Sequence, residues 1–172
     1  KAAAVAALFA VPAQAAQIVL APSNVIGVSD VYGGGFEGHN ILDQQTGAVF
    51  DIYGSTYWLN PDFGNPTPFL TIDLGQAYAI GSLELFNAHN DTFNDRSTGA
   101  FSIVGGNAVT SYAGGLRLSG AETLLVSGTL AGSVGQPING QAFNSQSGAL
   151  VRYLEFRPTS TGGRGYTSTS YA

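Results

Sequence analysis

The chain has 172 residues, enough for one domain of ordinary size with a buried core. Its 6 basic residues are scattered among 11 acidic ones, so neither nucleic acid nor an anionic membrane surface is an expected partner. It has no cysteine, which excludes disulfides, thiol nucleophiles and thiolate metal sites. Its 24 glycines and many aromatic residues, with few charges, favour β-structure over helices with charged surfaces.

Residues 1–15 have the features of a secretory signal. An apolar run over residues 2–11 follows the first lysine, and Ala13 and Ala15 form an Ala-x-Ala cleavage pattern. The run is shorter than the roughly 20 apolar residues that span a bilayer. We therefore expect a signal-peptide remnant, a secreted or cell-surface location, and one domain over residues 17–172. The alternative is an Ala-rich helix of the mature protein.

The next part of the chain is mainly turns and loops. Residues 17–28 contain a proline and are predicted to form an edge strand, where proline is tolerated. Residues 29–40 contain three consecutive glycines. A phosphate-binding loop would need a following helix and a Lys-Ser/Thr pair, and both are absent from the sequence here. We therefore predict an ordinary flexible loop. The only tryptophan, Trp58, is interpreted as a core residue.

The most regular stretch is residues 67–86. Apolar and polar residues alternate from 70 to 74 and again from 82 to 85, with Gly75 between the two runs. We interpret the runs as a half-buried antiparallel pair joined at a glycine turn. The pattern ends in the most polar loop of the chain, residues 87–98, and β-proteins commonly present binding sites on such loops.

Short strand-like segments continue to the end of the chain, and no stretch keeps the 3.6-residue period of an amphipathic helix. These segments are 100–104, 116–118, 122–127, 141–143 and 150–156. Roughly seven or eight strands predict an all-β fold, an antiparallel jelly-roll sandwich. No apolar strand follows Pro158, so we expect that the protein continues beyond Ala172 with a closing strand.

Six segments form an ordered set of landmarks. They are 40–43, 56–58, 69–75, 80–86, 95–103 and 151–156. In order and spacing they resemble the discoidin domain, the coagulation-factor C-type or galactose-binding-like jelly roll, over about residues 24–172. The resemblance implies a galactose-binding-domain-like fold and a non-catalytic module that binds glycans, lipids or proteins. With the signal-like segment, the chain also resembles exported bacterial proteins.

In this family, ligands bind loops at one end of the barrel. The resemblance places those loops at residues 29–39, 58–68 and 87–98, which we call the first, second and third end loops. The family also often holds a structural calcium ion, and Asp43 and Thr56 match two of its positions. Glutamines replace the other residues of that acidic stretch, so calcium is only a possible ligand, and no other cofactor is expected.

The third end loop concentrates groups that suit sugar recognition. Planar donors and acceptors bind pairs of hydroxyls, and an aromatic ring stacks on the face of a pyranose. The exposed aromatic residues are expected at the second end loop and are Phe63 within it and Tyr57 directly before it. The candidate polar contacts are His89, Asn90, Asn94, Asp95 and Arg96. The alternative for each is a local role in turns, with Asp95 paired to Arg96.

The sequence contains no complete catalytic motif. The only histidines are His39 and His89, whose spacing gives no zinc site. Asp91 and Asp95 are candidates for the paired carboxylates of a glycoside hydrolase, but acidic residues in surface loops are usually solvated. No Gly-x-Ser-x-Gly motif is present. We therefore expect no enzymatic activity.

The sequence thus predicts an extracellular module that binds carbohydrate through its end loops. The alternative is a structural or adhesive surface protein that contacts other proteins, and a glycan-active hydrolase is a third hypothesis. Membrane insertion is not expected, because the second end loop has apolar residues but no basic residue beside them.

Overall fold

The computed structural model describes residues 16–42, 57–61, 66–88, 97–132 and 139–160. These ranges contain nine β-strands and two short 3₁₀ helices, Pro22–Asn24 and Gly38–Leu42. The strands are β1 (Val25–Val28), β2 (Leu70–Ala79), β3 (Ser82–Leu85), β4 (Ala100–Gly106), β5 (Val109–Tyr112), β6 (Gly115–Leu118), β7 (Thr123–Thr129), β8 (Gln141–Asn144) and β9 (Leu150–Pro158). The predicted all-β class is confirmed.

Within the described ranges the strands form two antiparallel sheets. The larger has the order β5-β6-β1-β2-β9-β4-β7, and the smaller pairs β3 with β8. At the centre of the large sheet, Phe156 of β9 lies between Leu70 of β2 and Ile103 of β4. The alternation over residues 150–156 therefore marks a central strand of this sheet.

The region around Gly75 differs from the prediction. β2 continues through this glycine, whose φ is +83°, and its pairing with β9 shifts register between Asp73 and Tyr78. β3 does not pair with β2, because it lies in the small sheet beside β8. The predicted antiparallel pair with a glycine turn is therefore wrong. A glycine at positive φ also fits an irregularity within a strand.

The strand predicted within residues 17–28 is also placed differently. Pro22 belongs to a 3₁₀ helix, and β1 begins only at Val25. β1 pairs with β2 on one side and β6 on the other, so it is not an edge strand. Because the proline precedes the strand, its missing N–H removes no hydrogen bond from the sheet.

The main core lies on the face of the large sheet that the small sheet covers. Leu70 and Ile72 of β2 and Leu154 of β9 are buried there, as the alternation predicts. Across the sheets, the rings of Phe101 and Phe143 meet edge to face at 5.0 Å. Trp58 is 1% exposed and belongs to this core, so its interpretation as a core residue is confirmed.

The opposite face of the large sheet, which we call the far face, holds a buried carboxylate. Glu155 of β9 is 0% exposed and lies opposite Thr71 of β2. Its Oε2 accepts hydrogen bonds from the Leu118 N–H at 2.8 Å and the Thr71 hydroxyl at 3.3 Å. Its Oε1 accepts from Arg157 Nε at 2.8 Å and Arg117 Nη2 at 3.4 Å. Since a buried carboxylate needs such partners, it links β2, β6 and β9.

Close packing between β1 and β6 yields a stability prediction. A Cβ on Gly27 would lie 1.8 Å from the carbonyl oxygen of Leu116. Because that atom belongs to backbone in a paired strand, we expect Gly27→Ala to lower the free energy of unfolding by about 3 kcal/mol.

The matched control is Gly81→Ala, because a Cβ on Gly81 meets no atom within 4 Å. We expect it to change the free energy of unfolding by less than about 0.5 kcal/mol. Chemical denaturation measures both variants. Equal destabilisation would show that the contact between β1 and β6 is looser than described.

A second prediction concerns acid stability. Arg157 donates to both carboxylate oxygens of Glu122, at 2.7 and 2.8 Å, and these hydrogen bonds lower the pKa of Glu122 below its ordinary 4.5. A lowered folded pKa contributes stability that is present above the unfolded value and is lost as pH falls through the folded one. We expect the free energy of unfolding to decrease below pH 4.5, and Glu122→Gln to flatten that decrease. Denaturation curves from neutral to acidic pH test this. Identical profiles for variant and wild type would contradict it.

Candidate functional site

The ends of all three end loops lie at one end of the large sheet. Val28, the last residue of β1, pairs with Leu70, the first residue of β2, so the chain between them leaves and returns at the same place. Leu70 also pairs with Phe156 near the end of β9, and Phe101 near the start of β4 pairs with Pro158. The third end loop, which precedes β4, is therefore attached beside the other two.

The first and second end loops are joined by backbone hydrogen bonds. The Tyr32 N–H donates to the Leu59 carbonyl at 2.8 Å, and the Leu59 N–H donates to the Phe36 carbonyl at 3.4 Å. The indole N–H of Trp58 donates to the Asp30 carbonyl at 2.8 Å. Because Trp58 is itself buried in the main core, this bond fixes the first loop to the sheet below it.

A second, smaller buried cluster contains residues from all three loop regions. It consists of Phe36, Tyr57, Leu59 and Ala88. The ring of Tyr57 lies 5.3 Å from that of Phe36, and Tyr57 is only 9% exposed. The expectation that Tyr57 is an exposed aromatic is therefore wrong. Its ring packs inside the loop cluster, a contact that alternation along the chain does not reveal.

Asn87 joins the two ends of the third end loop. It is 2% exposed, and its Oδ1 accepts from the Thr98 N–H at 2.9 Å. Its Nδ2 donates to the carbonyls of Thr98 at 2.9 Å and Ala131 at 3.1 Å. These three bonds join the Asn87 side chain to the backbone of Thr98 and Ala131, and they hold the loop ends in fixed positions. The composition of the loop indicated polarity here but not this structural role.

The described part of the first end loop exposes an aromatic ring that sequence reasoning missed. Tyr32 is 55% exposed, and its ring meets that of Phe36 edge to face at 5.6 Å. Its backbone N–H is held by Leu59, so the ring stands on an anchored segment. An aromatic residue directly before three glycines in a predicted ligand loop is the signal that identifies it.

Most predicted contact residues lie outside the described residues and stay predictions. They are His89, Asn90, Asn94, Asp95, Arg96 and Phe63, together with the calcium candidates Asp43 and Thr56. Within the described ranges, no group of three or more His, Asp or Glu residues could hold a metal ion. None of the helices described is long and apolar enough to cross a membrane.

No protein-family model matches this sequence, and no curated protein sequence matches it either. Solved structures do match the fold. CBM32-3 from a family 31 glycoside hydrolase of Clostridium perfringens gives a TM-score of 0.58 at 15% identity, covering 89% of this chain and 90% of its own. The family 32 carbohydrate-binding module of C. perfringens NanJ, in complex with galactose, gives 0.54 at 15% identity, covering 87% and 90%.

A third structure, the CBM32 of AlyQ in complex with 4,5-unsaturated mannuronic acid, gives a TM-score of 0.51 at 21% identity, covering 85% of this chain and 89% of its own. Each of these matches extends over most of both chains. At these identities it establishes the fold and not the ligand. The chain therefore has the discoidin, or galactose-binding-like, fold that its sequence landmarks predicted.

Proposed function

We propose that this protein is a non-catalytic module that binds carbohydrate with its end loops. The observation that carries this proposal is the attachment of three loops at one end of a sheet, with a shared buried cluster beneath them. Two proteins of the same fold have been solved in complex with a sugar or an unsaturated uronic acid, which supports a saccharide ligand.

The chemistry of the loops suits this ligand. Arg96 and Asn94 each offer two hydrogen-bonding groups in one plane, which match two neighbouring hydroxyls of a sugar ring. Tyr32 offers an exposed aromatic face, and Phe63 is the second candidate ring. An extracellular setting is part of the proposal, and it is supported by the signal-like pattern in residues 1–15.

A glycan array tests the proposal directly. We expect wild-type protein to bind one class of saccharide, and Arg96→Ala or Asn94→Ala to weaken that binding about tenfold or more, because each removes hydrogen bonds to the sugar. Titration calorimetry with the strongest array hit measures the change.

Asn107→Ala is the matched control, because Asn107 is exposed and follows β4, at the other end of the sheet from the end loops. Its binding should equal that of wild type. Failure of the wild type to bind any saccharide would favour the protein-contact alternative. New reducing ends released from a polysaccharide would instead indicate a hydrolase.

The support beneath the loops gives a separate prediction. Asn87→Ala removes three hydrogen bonds and leaves the buried Thr98 backbone without those partners, so we expect a loss of about 2–3 kcal/mol in unfolding free energy. We also expect weaker saccharide binding, although the buried Asn87 side chain is not a ligand contact. Thermal unfolding and calorimetry measure the two effects. Wild-type stability together with wild-type affinity would show that Asn87 does not position the loop.

A further inference from the structure

A concave site lies on the far face of the large sheet, at the end that carries the loops. The cavity has a volume of about 390 Å³ and is lined by residues 66–69, Ser102, Arg117, Arg157 and residues 158–159. Residues 66–68 belong to the second end loop, so the cavity adjoins the proposed saccharide site. Its two arginines are a third of the 6 basic residues in the chain.

Arg117 presents its guanidinium group in a fixed orientation. The guanidinium carbon lies 4.4 Å from the centroid of the Phe69 ring and 5.8 Å from that of Tyr112. Such stacking restrains the plane of the group. Within the described part of the chain, Arg117 makes one hydrogen bond, to Glu155 at 3.4 Å, and its side chain is 35% exposed. Since a guanidinium carries five N–H groups, most of its donors are available to a ligand.

The other polar groups in the cavity complement Arg117. Ser102 of β4 lies opposite Arg157 of β9, and Thr159 follows the end of β9. The Ser102 and Thr159 hydroxyls make no hydrogen bond to any described residue. Arg157 uses its Nε and both Nη atoms on carboxylates, so it contributes charge more than donors.

The two carboxylates near the cavity, Glu155 and Glu122, already accept hydrogen bonds from the protein. Glu155 is fully buried, and its four hydrogen-bond donors come from strands of the far face. Glu122 is held in a bidentate pair with Arg157. A ligand in the cavity therefore meets guanidinium and hydroxyl groups. Three prolines form part of the cavity wall: Pro66, Pro68 and Pro158. Their rigid rings favour a cavity that already has its shape before a ligand binds.

We propose that this cavity is an anion subsite, in which Arg117, Ser102 and Thr159 bind the oxyanion of an acidic saccharide. The ligand chemistry is a carboxylate or a sulfate ester, because a guanidinium binds either through paired N–H donors. The inference rests on the proposed function, since the same glycan would occupy the end loops and extend its charged substituent across residues 66–68 into the cavity.

The test compares three polymers by titration calorimetry: polygalacturonate, a sulfated galactan and a neutral galactan. We expect the wild type to bind a charged polymer more tightly than the neutral one, and Arg117→Gln to reduce that binding about tenfold or more while leaving neutral binding unchanged. The matched control is Arg152→Gln, which removes the same charge from a residue that pairs with Asp73 outside the cavity. It should retain wild-type binding.

A second variant tests the subsite independently, in case Arg117→Gln does not fold. Ser102→Ala combined with Thr159→Val removes two cavity hydroxyls that bond to no described residue, so the midpoint of thermal unfolding should not change. We expect about a threefold or greater loss of affinity for the charged polymer. The uronate and sulfate arms then identify which oxyanion the cavity prefers.

The outcomes separate the inference from the proposed function. If charged polymers bind no better than neutral galactan, or if Arg117→Gln and Arg152→Gln weaken binding equally, the subsite is overturned while end-loop binding stands. If no saccharide binds, the proposed function fails. The side-chain Nε–H resonance of Arg117, followed while galacturonate or inorganic sulfate is added, then tests the cavity alone. A saturable shift that Ser102→Ala combined with Thr159→Val weakens supports an anion site, and no shift overturns it.

Discussion

The pairing of β9 with β2 on one side and β4 on the other sets the geometry of both the core and the loop end of the sheet. It places the start of β2, the end of β9 and the start of β4 side by side, so the loops attached to them emerge together. The same pairing gives the large sheet an apolar core beneath the small sheet. On the far face, it places Glu155 so that its carboxylate is buried among its hydrogen-bond partners.

Buried groups anchor the bases of the end loops, and the first end loop leaves Tyr32 exposed. Trp58 reaches from the main core to the first loop, and Asn87 joins the ends of the third. Loop residues held in this way lose less conformational entropy when a ligand binds, and such preorganisation favours affinity. The exposed Tyr32 above the buried Phe36 shows this division of roles within a single loop.

Strands were predicted most accurately from the sequence where one face of the strand is buried and the other is not, because their residues then alternate between apolar and polar. The alternation in residues 70–74 and 150–156 identified β2 and β9, and the order of landmarks identified the fold. Prediction from the sequence failed where long-range contacts decide the structure. Gly75 fits a turn or a strand irregularity, and only the pairing with β9 distinguishes them. Tyr57 is buried by contacts from other loops, and the partners of Glu155 include Arg117, 38 residues away in the chain.

A saccharide bound at the loop end of the sheet would perturb the end loops and leave the opposite end of the sheet unchanged. Backbone amide chemical shifts, mapped while a saccharide that binds is added, locate the site. We expect shifts in the end loops, including Tyr32 and Thr98, and none at Asn107 and Gly120 near the other end. Shifts concentrated at Asn107 and Gly120, with the end loops unchanged, would contradict binding at the loop end.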